Sequence, residues 1–435
     1  MADGNEAHRR RGPLSVLRHR DFRRMWVANV VSDVGTWMQL VTVATLVAAK
    51  TGSALQTGLV AVATFAPQAL TSPIAGVLAD RHERRRLYLM ILAAQAVGAS
   101  ALAFAVAAGA SPRMLTLVVL CQGLIGSMAN PVAAAILPEL VPKRELLAAA
   151  SLSSVSWNSG RIIGPMLAAL SVAAIGPTWS IVANAVSFVF LFVSIASIRR
   201  KLIPLGGNDA GFVTRLRGGA SAIYRSKPSL FAFAIAVATQ FFIAPFIGLV
   251  PFYARQVLDG GQSDASILYV AVGVGALVGS LSLPWLVGRV GRPRTAVALL
   301  SLAIIALAVV ANVKGRVGAV VGLGLLGGLY IPGFVGLSSV LPRDARPEER
   351  GRVASLFAAS TGAAYSCGVV WMGALADRTS IRTSFTVGAS VAAVLLGISV
   401  ITANRHWRSV GRGDPASVRA VHRGLTTTVR PSRDD

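Results

Sequence analysis

Cysteine, histidine and charge are what this chain has least of. Its 435 residues include two cysteines, Cys121 and Cys367, which lie in apolar stretches far apart, so a disulfide framework does not organise the fold. The five histidines, His8, His19, His82, His406 and His422, fall in terminal or loop segments, and no cluster with cysteine has metal-ligand spacing. No metal and no cofactor is therefore expected. Asp, Glu, Lys and Arg make up only 14% of the residues, against roughly 25% in a soluble domain. No G-x-x-x-x-G-K-[ST] string occurs, so ATP hydrolysis by this chain is not expected, and no other enzyme signature is present. The apolar runs also lack strict apolar–polar alternation, which argues against a membrane β-barrel.

What remains is apolar sequence. Hydrophobic residues reach 54%, with a mean hydropathy of +0.63. At about 20 apolar residues per spanning helix, the runs predict an all-α membrane protein with twelve spans. These are residues 25–49, 57–78, 87–108, 114–134, 147–173 and 178–198, then 229–250, 266–287, 295–313, 317–337, 353–375 and 383–403. Residues 1–24 carry seven arginines, and no small-residue cleavage site follows the first run, so that run reads as an uncleaved span.

The net charge of +24 would suggest nucleic acid in a soluble protein, but here it reads as topology. Of the 42 Lys and Arg, 34 fall in the two terminal segments and in the loops after spans 2, 4, 6, 8 and 10. By the positive-inside rule both termini are then cytoplasmic, in a bacterial inner membrane, with lipid rather than nucleic acid as the surrounding partner.

The expected domains are a cytoplasmic segment 1–24, a six-helix half 25–198, a central loop 199–228, a second half 229–403 and a basic tail 404–435. Sliding the halves by 204 residues places Leu137-Pro138 on Leu341-Pro342 and Ala150-Ser151-Leu152 on Ala354-Ser355-Leu356, which supports an internal duplication. In the central loop Phe212, Leu216, Ala220 and Ile223 recur at helical spacing among arginines. That fits a helix on the membrane surface, and a plain linker is the alternative.

Between spans 2 and 3 the string Gly76-Val-Leu-Ala-Asp80-Arg81-His-Glu-Arg84-Arg85 places a carboxylate and arginines in a tight loop. This G-x-x-x-D-R-x-x-R-R pattern resembles the signature loop of the major facilitator superfamily of secondary transporters. The resemblance implies two pseudo-symmetric six-helix halves, and a gating role in which Asp80 faces the start of helix 11 near Gly351–Ser355. In span 5, Gly160-Arg161-Ile-Ile-Gly164-Pro165 followed by Ala168 and Ala169 is similar to the G-x-x-x-G-P-x-x-G-G signature of the antiporter branch. Generic close packing of small residues is its other reading. In span 4, Gln122, Gly123 and Gly126 match the end of an R-x-x-Q-G-x-G element, but Val119 stands where drug/proton antiporters carry arginine. The run from Pro138 through Glu139, Pro142, Arg144 and Glu145 to Ser151 looks more like the enterobactin-exporter-like, secretion-type branch.

Charged residues inside the spans are few. Asp33 lies about 12 Å into span 1, and Arg161 is near the middle of span 5. Burying either alone costs several kcal/mol, so each needs a wet cavity or a partner, and they are candidates for pairing and for proton coupling, with recognition of substrate charge as the remaining role for Asp33. Asn29 lies beside Asp33 in sequence. The resemblance implies a central cavity lined by spans 1, 4, 7 and 10, which selects Asn29, Gln39, Asn130, Gln240 and Tyr330 as substrate contacts. The expected function is export of a small organic molecule, such as a drug, siderophore or secondary metabolite, in exchange for protons, by a monomer. Uptake of a small solute and a membrane receptor or scaffold that moves nothing are the alternatives.

Overall fold

The computed structural model describes residues 13–68, 71, 74, 78, 81–198, 212–339, 341, 346 and 349–411, and among them it is helical throughout. After a 3-10 turn at Pro13–Arg18 come α1 (Arg20–Thr51), α2 (Ala54–Phe65), α3 (Arg84–Ala107), α4 (Pro112–Gly126), α5 (Ala129–Leu140), α6 (Leu146–Ile175) and α7 (Pro177–Ala196). Then follow α8 (Phe212–Arg225), α9 (Lys227–Phe242), α10 (Phe246–Leu258), α11 (Gln262–Val290), α12 (Arg292–Asn312), α13 (Arg316–Ser338), α14 (Arg350–Arg378) and α15 (Ile381–Gly411).

Local chemistry sets the reversals. Gly52 ends α1 in the left-handed region at φ 59°, returning its amide to Ala48 O, and the next residue, Ser53, caps α2 by accepting from Gln56 N. Ser111 and Ser226 cap α4 and α9 in the same way, each followed by a proline in the first turn, where the missing N–H is no loss.

Eleven helical runs among the described residues are long and apolar enough to cross a membrane. Two of them are broken spans: α4 with α5 form Pro112–Leu140, and α9 with α10 form Lys227–Leu258. The second expected span is represented by the shorter Ala54–Phe65, and most of its continuation lies outside the described residues. The chain is thus a multi-pass all-α membrane protein. Large apolar side chains such as Phe104, Leu281 and Val317 point outward where only lipid would solvate them.

The stretch read as either a surface helix or a linker forms helix α8, which is amphipathic. Ala222 and Ile223 are buried, and Gly219 lies against the Arg352 backbone at the start of α14.

Packing follows chain order on either side of residues 199–211. On the first side α1 lies against α6 and α7, and α3 against α7 and α4. On the second, α13 lies against α11 and α12, and α9 against α14 and α15. The tightest seam joins α11 to α13: a Cβ on Gly275 would fall 1.8 Å from Gly324 O, and one on Gly279 2.0 Å from Gly328 O. The two helix sets meet where α2 packs on α14 and α10, and where α6 packs on α11.

Candidate functional site

The contact between α1 and α6 fixes the central side chains. Gly160 and Gly164 stand one turn apart on α6, and a Cβ on them would meet Asp33 O at 2.8 Å and Trp37 Cβ at 2.6 Å. The small residues therefore seat α6 directly on the α1 backbone, with Pro165 buried beside them. One turn before Gly160, the Ser156 hydroxyl donates to the Asp33 carboxylate. One turn before Asp33 on α1, Asn29 accepts from the Tyr88 hydroxyl at 3.3 Å, and Tyr88 is within electrostatic reach of Asp33. Asn29, Asp33, Tyr88 and Ser156 thus form one polar group joining α1, α3 and α6.

Arg161 points elsewhere. Each residue turns a helix by about 100°, so the residue after Gly160 leaves the α1-facing stripe, and no ion pair joins Arg161 to Asp33. Its guanidinium carbon lies 5.4 Å from the Trp37 ring centre, a cation–π contact. Nε and Nη1 are shut off from solvent and have no hydrogen-bond partner. Around Trp37 the rings of Trp157, Phe65 and Tyr269 follow at 5.6, 6.2 and 6.5 Å, and Tyr365 lies 6.4 Å from Phe65. This aromatic group draws on α1, α2, α6, α11 and α14, so it bridges the two helix sets.

The remaining cavity candidates separate. Gln39 is buried and donates to Gln122 at 2.7 Å while accepting from Asn184 at 2.8 Å, tying α1 to α4 and α7. Gln240 accepts from the Tyr330 hydroxyl, joining α9 to α13. Asn130 is exposed near the start of α5. The structure therefore gathers Asn29 with Asp33, and Gln240 with Tyr330, but does not bring all five to one surface.

A second locus joins α2 to α14. The Asp377 carboxylate, in the last turn of α14, accepts from the Ser53 hydroxyl at 2.6 Å, from Leu55 N at 3.2 Å and from Ala54 N. These are the free N–H groups and cap of α2, where negative charge is stabilised. Gly373 allows the approach, since a Cβ there would be 2.8 Å from Leu55 Cα.

The profile of the family described as transmembrane secretion effector matches residues 11–427. The chain belongs to this family, a branch of the major facilitator superfamily. Among relatives, macrolide efflux protein A of Streptococcus pyogenes is 25% identical over 85% of this chain and 93% of its own length. Enterobactin exporter EntS of Salmonella typhi is 26% identical over 62% of this chain and 65% of its own length. The crystal structure of the nucleoside transporter NupG superposes with a TM-score of 0.68 at 14% identity, covering 88% of this chain and 98% of that one. The inward-facing crystal structure of a bacterial homologue of the iron transporter ferroportin gives 0.65 at 18%, covering 87% and 98%. This secretion effector family member is thus a transporter of small molecules, not an enzyme.

In the superfamily's signature loop, Gly76 and Asp80 lie outside the described residues. Arg81 is exposed. Arg84 is buried and donates to Glu139 at 2.6 Å and to Ala135 O at 3.0 Å, clamping α3 to α5. Arg85 donates to Ala196 O and Ile195 O at the end of α7, where a cation is favoured. At the same end of the bundle Arg18 and His19 pair with Glu145, and Arg225 with Glu349. The hydrogen bond from His19, then the charge of Arg18, holds the Glu145 carboxyl below its usual value, and Arg225 does the same for Glu349.

No motif considered from sequence contains Asp377, yet a signal for it exists. Gly373-Ala-Leu375-Ala376-Asp377-Arg378 repeats Gly76-Val-Leu78-Ala79-Asp80-Arg81 except at the second position.

Proposed function

We propose that this protein is a twelve-span secondary active transporter that exports a small amphipathic organic molecule by proton antiport. The two six-helix halves are residues 25–198 and 229–403, with α2 and its continuation as the twelfth span, and the protein works as a monomer in a bacterial inner membrane. Both termini face the cytoplasm, where the positive-inside bias puts the Arg84 end of the bundle. Ser53 and Asp377 then face outside. Their clasp fits a conformation closed outward, in which cargo enters from the cytoplasm. Asp80 takes the matching role at the other end, facing the start of α14 near Gly351–Ser355 when that side closes.

The observation that carries the coupling step is Asp33, a carboxylate inside the bundle whose hydrogen-bond partner is the neutral Ser156 hydroxyl, not a cation. A carboxylate held this way changes proton affinity with its hydration. Rocking the halves exposes α1 to each side in turn, so proton binding from outside and release inside drives the cycle. The names of the relatives, macrolide efflux protein and enterobactin exporter, support the outward direction.

The test is accumulation of a panel of amphipathic aromatic carboxylates and amines in inside-out vesicles, with and without an imposed pH gradient. Wild type is expected to concentrate at least one of them only with the gradient. Asp33→Asn is expected to abolish this concentration while sparing counterflow at equal pH. Gradient-driven accumulation at wild-type level by the Asn variant would remove Asp33 from the mechanism, and no gradient response for any compound would refute antiport.

A further inference from the structure

Arg161 is a cation inside the bundle without a counter-charge. Its Nε and Nη1 are sealed from solvent and unpaired, which leaves Nη2 as the nitrogen with solvent access. Among the described residues no carboxylate lies within ion-pair distance, and Asp33 accepts instead from the Ser156 hydroxyl. Two more polar atoms of the same aromatic group are buried without partners: Trp37 Nε1 and Tyr365 Oη. The Tyr330 and Tyr365 hydroxyls lie within electrostatic reach of the guanidinium, and that of Tyr330 is already given to Gln240. Buried polar groups are paired as a rule, and each unpaired one calls for an explanation. Four unpaired polar atoms in one group, Arg161 Nε and Nη1, Trp37 Nε1 and Tyr365 Oη, with no acceptor among the described residues, are explained together by an acceptor that comes and goes.

We propose that Arg161, with Trp37 and Tyr365, forms a subsite for the anionic group of the cargo, and that the cargo class is an aromatic or amphipathic organic anion, a carboxylate or phenolate. This rests on the transport reading above and adds the sign of the cargo's charge. Arg161 offers its planar fork to two oxygens, as guanidinium does for carboxylates. Trp37 lies against the guanidinium, and Phe65, Trp157 and Tyr365 extend the aromatic group from it, which suits a flat apolar body, with contributions from α1, α2 and α6 on one side and α14 on the other. Because both helix sets supply the subsite, rocking them apart takes it apart, which would release the anion on the far side. Gly160 and Gly164 hold the register, fixing α6 on α1 so that Arg161 stays over Trp37.

The experiment is equilibrium dialysis of purified protein with two radiolabelled probes of one shape and opposite charge, 1-naphthoate and 1-naphthylmethylammonium. Wild type should bind the carboxylate more tightly. Arg161→Gln should weaken that binding by about tenfold or more, as expected for a lost charge-assisted hydrogen bond, and leave the amine unaffected. Arg161→Lys should recover part of the loss, since it keeps the charge but not the fork. The melting temperature separates site from scaffold: removing an unpaired buried charge should not lower it, whereas removing a structural partner should. The proposal is overturned if the amine binds as tightly as the carboxylate, if Arg161→Gln binds the carboxylate like wild type, or if that variant loses both probes together with its melting temperature. Carboxylate binding that depends on Arg161, without gradient-driven flux, would leave the subsite standing and refute antiport. Gradient-driven flux of amines alone would do the reverse.

Discussion

Asp377→Asn tests how the two helix sets are held together at the Ser53 end. The wild-type carboxylate accepts from one hydroxyl and two backbone amides at the start of α2. Asn keeps one oxygen, loses the second acceptor, and loses the charge that favours a helix N-terminus. Capping contacts contribute about 0.5–2 kcal/mol and a charge near the terminus about 0.3–1 kcal/mol. Asp377 is exposed, so solvent screening pulls the total toward the low side, about 1 kcal/mol. Since about 1.4 kcal/mol is a factor of ten, the balance between closed and open forms of this end should shift by about fivefold. The assay is a spin-label distance between Arg113 and Thr383, exposed positions near this end on either set, with Cys121 and Cys367 replaced. Wild type should give one dominant short distance, and Asp377→Asn a second, longer population. Ser53→Ala should produce a similar change that adds little to that of Asp377→Asn, since both break one contact. An unchanged distribution in both variants would mean that packing, not the carboxylate, closes this end.

Gly164→Ala should lower the melting temperature, because its new methyl must push into Trp37 Cβ and Val34 O at 2.6 and 2.8 Å, an overpacking cost of about 1–3 kcal/mol; Gly397→Ala, where a Cβ meets nothing within 4 Å, is the control that should not. Acid should loosen the contact between α8 and the start of α14. The Glu349 carboxyl is held below its usual 4.5 by Arg225 in the folded protein, so its contribution is fully present above that value and is lost as pH falls through the lower folded one. A Glu349→Gln variant should therefore melt below wild type at neutral pH and converge with it as acid protonates the folded carboxyl, below its usual value; a gap that stays constant with pH would assign the effect to packing instead.

Helix formation and its membrane setting were legible because each depends on local sequence: run length, caps such as Ser53 and Ser111, and the crowding of arginine into alternate loops. Two span breaks were not legible. The break between α9 and α10 falls at Pro245, which has no amide hydrogen to give the preceding turn, and that between α4 and α5 falls after Gly123 and Gly126 and before Pro131, but a glycine or proline in an apolar span does not by itself decide whether the helix bends or parts. For the site, composition pointed to Asp33 and Arg161 because ionisable residues are rare in apolar spans. Their pairing was not decided by position. Arg161 is one residue past the α1-facing glycine, and that single rotation sends it to Trp37 instead of Asp33. Gln39 was equally ambiguous, since an amide inside a span serves a cavity or a neighbouring helix alike, and its partners Gln122 and Asn184 lie 83 and 145 residues away. Asp377 was hidden by its setting at the end of a span, where an acidic residue usually marks only the water boundary.

The glycine seam between α11 and α13 bears on where strain can go during a transport cycle. With backbone atoms in contact at Gly275–Gly324 and Gly279–Gly328, those two helices have no side chains to reorient between them and slide or splay only by breaking backbone contact. They behave as one stiff double rod. Bending must then concentrate where the helical ladder is already interrupted, at residues 127–128 between α4 and α5 and at 243–245 between α9 and α10. A ligand that wedges beside either break would stall the cycle without touching the cargo path, whereas the seam itself offers an inhibitor no purchase.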